Sequence, residues 1–280
     1  MDLPFYLYES IVDAALAEDI GVGDITTTLC IPAGERSTAQ FLAKSPGVVA
    51  GLDVGAAVFR KLDPSVVWEP QVVDGTVVDG ARNVLAHVSG SARALLTAER
   101  VALNLMQRMS GTATITRRFV DLVAGTKARI IDTRKTTPSL RVLEKYAVRC
   151  GGGHNHRFGL YDAVLIKDNH IKAAGGIVTA VRAARIQTPH TMKIEVETTN
   201  LDEVALALKA GADIILLDNM DLSTLKAAVD LVGGRAATEA SGRVNESTVA
   251  GIAATGVDVI SVGALTHSAP AMDISLDFIA

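Results

Sequence analysis

The sequence has little cysteine, few aromatic residues and no long apolar run. Its two cysteines, Cys30 and Cys150, are too few for a disulfide scaffold, so a reducing, cytoplasmic setting is expected. No apolar run is long enough to cross a bilayer, and the start, Met1-Asp2-Leu3-Pro4, lacks the basic n-region of a signal peptide. A membrane is therefore not an expected partner. Lys and Arg number 27 against 31 Asp and Glu, a net charge of −4 over 280 residues. Nucleic acid, which needs a broad cationic face, is not expected either. Aromatics are only 4%, but hydrophobic residues reach 49%, which excludes a disordered chain. Such a chain can bury a large core, as one domain or as a large domain with a smaller companion.

The mean charge hides a local excess. Between Lys127 and Arg157 lie eight basic residues, Lys127, Arg129, Arg134, Lys135, Arg141, Lys145, Arg149 and Arg157, against only Asp132 and Glu144. The segment carries +6, which leaves −10 for the rest. Arg141, Lys145 and Arg149 follow the i, i+4, i+8 spacing of one helix face and read as a solvated basic helix.

The second half alternates between short β-rich apolar segments and helical patterns. The strand candidates are 128–132, 163–166, 193–196, 213–217, 236–239 and 257–262. Helices are expected over 138–150, 177–186, 201–210, 222–232 and 246–254, with Asn200 and Asn245 as N-caps. This alternation means a parallel sheet covered by helices, either an incomplete (β/α) barrel or an open doubly wound sheet. The first half offers strands over 37–43, 66–73 and 84–89, and helices over 11–18, 54–62 and 93–109. Ser110-Gly111 is the expected joint between the halves.

The expected strands end in polar groups: Asp132-Thr133-Arg134-Lys135, then Lys167-Asp168-Asn169-His170, Glu195 and Glu197, Asp218-Asn219, Ser241-Gly242, and Gly263-Ala264. In parallel α/β folds ligands bind at the C-terminal ends of strands, so these groups should converge on one site. Arg134, Lys135, Arg157 and Lys167 suit a polyanion. Glu197 and Asp218 are hard oxygen ligands for Mg²⁺ or ribose hydroxyls. The turns Ser241-Gly242-Arg243 and Val262-Gly263-Ala264 stand where barrels often hold a phosphate. The run Gly151-Gly152-Gly153-His154-Asn155-His156-Arg157 reads both as a helix C-cap with a flexible link and as backbone that approaches a ligand while presenting His156 and Arg157. His154-x-His156 lacks a third ligand at zinc spacing, and Cys150 reads as a small buried residue rather than a nucleophile.

The motifs resemble the quinolinate phosphoribosyltransferase family. They are Glu18-Asp19-Ile20-Gly21-x-Gly23-Asp24-Ile25-Thr26-Thr27, Glu99-Arg100-x-Ala102-Leu103-Asn104-Leu105 and Asp132-Thr133-Arg134-Lys135-Thr136-Thr137-Pro138, then the run from Gly151 to Arg157 with Gly159-Leu160. Leu165-Ile166-Lys167-Asp168-Asn169-His170, Glu195-Val196-Glu197, Leu217-Asp218-Asn219 and Glu239-Ala240-Ser241-Gly242 complete the set in order. The resemblance implies an α/β protein with an N-terminal α/β sandwich domain over 1–110. An open, incomplete, seven-stranded α/β barrel would follow over 111–267, and the tail 268–280 would return to the first domain. It also implies a head-to-tail homodimer in which Arg100 is donated to the partner's site. Quinolinate would be bound by Arg100, Arg134, His156, Arg157 and Lys167, and Thr133 is a further expected substrate-binding residue. Phosphoribosyl pyrophosphate and Mg²⁺ would be handled by Lys135, Glu197 and Asp218, with phosphate turns at Ser241-Gly242-Arg243 and Gly263-Ala264.

The implied reaction displaces pyrophosphate from ribose C1 by the pyridine nitrogen and then loses the 2-carboxylate as CO₂. Lys135, Glu197 and Asp218 would be catalytic; either Lys135 or Lys167 could assist the decarboxylation. One departure stands out. Arg243 occupies a position where the family usually has Gly, so either it strains a left-handed backbone or its side chain reaches the 5′-phosphate. Two other classes remain to be distinguished: a Schiff-base aldolase using Lys135 or Lys167, and a binding homologue linked to molybdenum uptake that kept the fold.

Overall fold

Residues 3–279 are described by a computed structural model. In chain order the elements are α1 (Glu9–Ile20), α2 (Ile25–Cys30), β1 (Arg36–Ala43), β2 (Gly47–Val48), α3 (Leu52–Leu62), β3 (Val67–Pro70), β4 (Val77–Val78), β5 (Asn83–Ser91) and α4 (Ala92–Leu122). There follow β6 (Arg129–Ile131), α5 (Arg141–Cys150), β7 (Val164–Ile166), α6 (Asp168–Ala174), α7 (Ile177–Gln187), β8 (Ile194–Thr198), α8 (Leu201–Ala210), β9 (Ile214–Asp218) and α9 (Leu222–Val232). The chain closes with β10 (Ala237–Ser241), α10 (Val249–Ala254), β11 (Val259–Ser261), α11 (Ala264–His267) and β12 (Ile274–Ile279). These elements fall into two units.

The first unit comprises Met1–Arg117, Thr136–Gly152 and Leu265–Ala280. Its antiparallel sheet has the order β12-β1-β5-β3, so the C-terminal strand pairs with β1 from Thr38↔Ile279 to Ala43↔Ile274. Alternation along β1 buries Ala39 and Phe41, and Phe41 meets Phe59 of α3 and Trp68 of β3 with ring centroids 5.9 and 5.2 Å apart. Asp24 accepts the N–H of Thr27 at 2.9 Å and so starts α2, which explains the Gly21–Thr27 motif as a helix stop and a cap.

The expected joint at Ser110-Gly111 lies within α4, which runs through it unbroken. Gly111 is needed for close approach, because a Cβ there would collide with the backbone carbonyl of Pro270. The face Arg141, Lys145, Arg149 is not solvated throughout, since Lys145 is fully buried and only Arg149 is exposed. The helix α5 also starts at Arg141 rather than 138, after the turn that follows Pro138.

The second unit comprises Arg118–Lys135 and Gly153–Ala264. It is a parallel six-stranded sheet in the order β6-β11-β10-β9-β8-β7, layered with helices. A one-residue parallel bridge, Ile131↔His154, adds a seventh strand position beyond β6. The sheet is therefore open, and its seventh member is a single residue. Val196, Ile215, Leu217 and Ile260 are fully buried, as wholly apolar parallel strands require. Asn200 caps α8 by accepting the N–H of Glu203, as expected. Asn245 does not cap α10. Its Oδ1 accepts from Ser247 and Thr248 in a separate turn, and the helix begins only at Val249.

Candidate active site

At the C-terminal ends of the second unit's strands lies a cavity of about 630 Å³. Thr133, Arg134 and Lys135 enter it after β6, and Lys167 after β7. Glu197 comes from β8 and Asp218 from β9, while Ser241, Gly242 and Arg243 close β10. His156 and Arg157 arrive from the segment that bridges to β6. Eleven of the expected site residues thus share one wall-to-wall space. Gly263 and Ala264 follow β11 and are not among its lining residues, and Arg100 belongs to the first unit, exposed on α4.

The cationic side is built by burial. Arg157 donates through Nη1 to the carbonyl of Ala163 at 3.0 Å, while its buried Nε has no partner. Burial, then the neighbouring Arg134 charge, lowers the Arg157 pKa from its ordinary value. Two crowded guanidiniums of this kind are an anion receptor. Lys167 is fixed at the start of α6, where its N–H donates to His170 Nδ1 at 3.0 Å, and its ammonium stands 3.7 Å from Glu197. Asp218 accepts from the Asn219 side chain at 2.7 Å.

The turn after β10 is conformationally demanding. Gly242 has φ +95°, and a Cβ there would strike the side-chain amide of Asn219. Arg243 has φ +52°, so it does hold the left-handed backbone.

No role was expected for the acids of the floor, Glu195 among the strand-end groups and Glu239 within a motif. Glu239 lines the cavity, and Glu195 lies 3.1 Å from His156 Nε2, with Glu239 Oε1 at 3.8 Å from the same atom. Both carboxyls are buried, 4% and 3% exposed. Burial, then the adjacent Glu195 charge, pushes the Glu239 carboxyl well above the usual carboxylate range. Glu195 Oε1 and Glu239 Oε1 are buried without a hydrogen-bond partner. Both residues stood inside quoted motifs. The available signal was the two-residue spacing of Glu195 and Glu197, which puts them on one face of a strand. Asp132 and Asn219, expected only as strand-end groups, and Ser261, not singled out, also belong here: Asp132 holds the backbone behind His156, while Asn219 and Ser261 line the cavity.

Cys150 is no nucleophile. It lies in the first unit, where burial and then Asp74 push its thiol up to about 12. No helix among the described residues is long and apolar enough to cross a membrane.

Comparison with known proteins matches residues 24–110 to the model of the quinolinate phosphoribosyl transferase N-terminal domain and residues 112–277 to that of its C-terminal domain. The chain is 46% identical over 281 residues to a probable nicotinate-nucleotide pyrophosphorylase [carboxylating] of Synechocystis sp., covering 99% of this chain and 94% of that one. It is 46% identical over 292 residues to the chloroplastic nicotinate-nucleotide pyrophosphorylase [carboxylating] of Arabidopsis thaliana, covering 98% and 83%. The crystal structure of NadC from Streptococcus pyogenes superposes with a TM-score of 0.95 at 39% identity, covering all of both chains.

Proposed function

The chain belongs to the quinolinate phosphoribosyltransferase family, and from that premise we propose that its cavity joins quinolinate to phosphoribosyl pyrophosphate and decarboxylates the product. The enzyme is a phosphoribosyltransferase that forms nicotinate mononucleotide, pyrophosphate and CO₂ for NAD synthesis. The observation that carries this reading is the sharing of one cavity by Arg134, Lys135, Arg157 and Lys167 with Glu197, Asp218 and the Gly242–Arg243 turn. An aldolase would need none of the last three groups.

Arg134 and Arg157, with Thr133 beside them, take the substrate carboxylates and hold the pyridine nitrogen toward ribose C1. Ser241, Gly242 and Arg243 receive the 5′-phosphate of the donor, with backbone N–H groups supplied by the turn. Glu197 and Asp218 hold the ribose hydroxyls and stabilise the positive charge that develops at C1 as pyrophosphate departs. The same two carboxylates are the donor set that Mg²⁺ accepts, one or two acidic oxygens completed by substrate phosphates and water. When bound there, Mg²⁺ supplies charge neutralisation of the pyrophosphate. Lys135 and Lys167 place ammonium charge against the ring as the 2-carboxylate is lost; comparing Lys135→Ala with Lys167→Ala for coupling of CO₂ release to nucleotide formation separates their roles.

The working unit is a homodimer in which Arg100, exposed on α4, reaches the partner's site. A reducing, cytoplasmic location suits the two free cysteines. Incubation with quinolinate, phosphoribosyl pyrophosphate and Mg²⁺ is expected to give nicotinate mononucleotide; no product at any concentration removes the assignment. Mixing Arg100→Ala with Lys135→Ala is expected to restore partial activity. With subunit exchange confirmed, failure to do so removes the shared site.

A further inference from the structure

Among the described residues the Arg157 side chain makes one hydrogen bond: Nη1 donates to the carbonyl of Ala163 at 3.0 Å, six positions on. Its Nε is buried without a partner. A guanidinium on a long, flexible stem is therefore aimed by a single backbone oxygen. Burial and then the Arg134 charge oppose its cationic form, while Glu195 and Asp162 support it. Where that oxygen stands is decided by the loop between Arg157 and Ala163.

Asp162 closes this loop. Its Oδ2 accepts the N–H of Phe158 at 2.7 Å and its Oδ1 the N–H of Gly159 at 2.9 Å, so one carboxylate spans the turn from its far end back to its start. Apolar packing contributes little here, because Leu160 and Tyr161 at the tip are 73% and 80% exposed. The tip has no helix or strand of its own, and β7 begins only at Val164. The carboxylate therefore fixes the path between the residue that presents the guanidinium and the residue whose carbonyl anchors it. Asp162 is the neighbour of that anchor in the chain and reaches back to the two residues after Arg157, so losing its bonds frees the anchor to drift.

We propose that Asp162 is a positioning residue: by closing the loop from Arg157 to Ala163 it sets the carbonyl that aims Arg157 at a substrate carboxylate. Asp162 is not among the residues that line the cavity, so it acts on substrate only through the arginine. A binding group works when its own rotamer is held by the residues behind it, and a misplacement of about 1 Å is enough to lose most of its effect. The consequence falls on the pyridine dicarboxylate and spares the phosphoribosyl donor. The inference deepens the proposed reaction and relies on it for the identity of the substrate, but the closure of the loop does not depend on it.

Amide hydrogen exchange of the unliganded protein tests the closure. In Asp162→Ala the amides of Phe158 and Gly159 are expected to exchange about tenfold faster than in the parent, with those of β8 and β9 unchanged. Exchange equal to the parent's overturns the proposal. Should the alanine variant fail to fold, Asp162→Asn carries the same measurement, with faster exchange expected at one of the two amides. Steady-state kinetics tests the action through Arg157. Asp162→Ala is expected to raise the quinolinate KM about tenfold, while kcat and the KM of phosphoribosyl pyrophosphate change less than about twofold. Equal loss on both substrates would show a general structural role and defeat the proposal. Asp162→Asn keeps one accepting oxygen without the charge, and its quinolinate KM is expected to rise only about threefold. A rise as large as in the alanine variant would mark the charge rather than the closed loop and overturns the proposal. In the cycle with Arg157→Ala, the double variant is expected to keep a kcat/KM for quinolinate within about twofold of Arg157→Ala alone. Losses that multiply mean that Asp162 acts by another route and overturn the proposal. Absence of all turnover in the parent protein would instead count against the assigned reaction, while the exchange result still decides the loop.

Discussion

Asp132 accepts the backbone N–H of His156 at 2.8 Å across 24 positions of sequence. Its second oxygen takes the Asn155 side chain at 2.6 Å, and none of the residue is exposed. The end of β6 and the segment carrying His156 and Arg157 are therefore one construction. Removing the carboxylate takes this acceptor from the backbone N–H of His156 and the side chain of Asn155. Asp132→Ala is expected to lower stability by about 3 kcal/mol in urea unfolding and to raise the quinolinate KM more than that of phosphoribosyl pyrophosphate.

The crowding of Arg134 and Arg157 predicts that guanidinium geometry matters, beyond charge. Arg157→Lys retains a cation but loses the planar fork and the Nη1 bond to Ala163. Its quinolinate KM should rise about tenfold, which steady-state kinetics at fixed ionic strength will read.

Arg243 holds φ +52° in the turn that lines the cavity. Glycine relieves the left-handed strain, worth about 1–2 kcal/mol, but loosens the unfolded chain by somewhat less. Arg243→Gly should therefore melt a degree or more higher. If the side chain also reaches the donor phosphate, the KM of phosphoribosyl pyrophosphate rises in the same variant. A stabler enzyme with an unchanged KM would assign the arginine no binding role.

Gly111 sits mid-helix against the carbonyl of Pro270. Alanine, ordinarily the better helix former, has no room there. Gly111→Ala should cost about 3 kcal/mol, against a gain of about 1 expected from helix propensity alone. The sign of the change in thermal unfolding decides between them.

Asp258 ties β10 to β11, accepting from the Thr238 N–H at 2.8 Å and hydroxyl at 2.7 Å, and from Lys127 at 2.7 Å. Burial raises its pKa, but the bonds from Lys127 and Thr238 outweigh it and the net direction is down. A carboxyl with a depressed folded pKa contributes stability above its unfolded pKa, about 4, and loses it as pH falls through the folded value. Asp258→Asn should lose stability at pH 7 and show a shallower acid limb below about pH 4 in a pH series of unfolding midpoints.

Much of the site could be read from the chain because parallel strands deliver their C-terminal residues to one end. Arg134, Lys167, Glu197 and Asp218 needed only a strand assignment to be brought together. Glu195 was expected only as a strand-end acid and Glu239 only as part of a motif, because a carboxylate inside an apolar strand carries no mark of the histidine it will meet. The helix that runs through Ser110-Gly111 was hidden for a related reason. Glycine signals a break as readily as a close contact, and the contact is with a residue about 160 positions away. Lys145 was placed on a solvated face by its spacing, but spacing does not tell which side of a helix is covered.

The sequence by itself determined the alternation of strands and helices, the polar strand ends and the cationic segment from Lys127 to Arg157. Local periodicity and composition carry these, because the residues that make them are neighbours in the chain. Only the tertiary structure decided the pairing of His156 with Glu195, the left-handed backbone at Arg243, the continuity of α4 and the single-residue seventh strand position. Each depends on a distance of a few ångströms between groups far apart in sequence, or on a backbone angle that several residue types would accept.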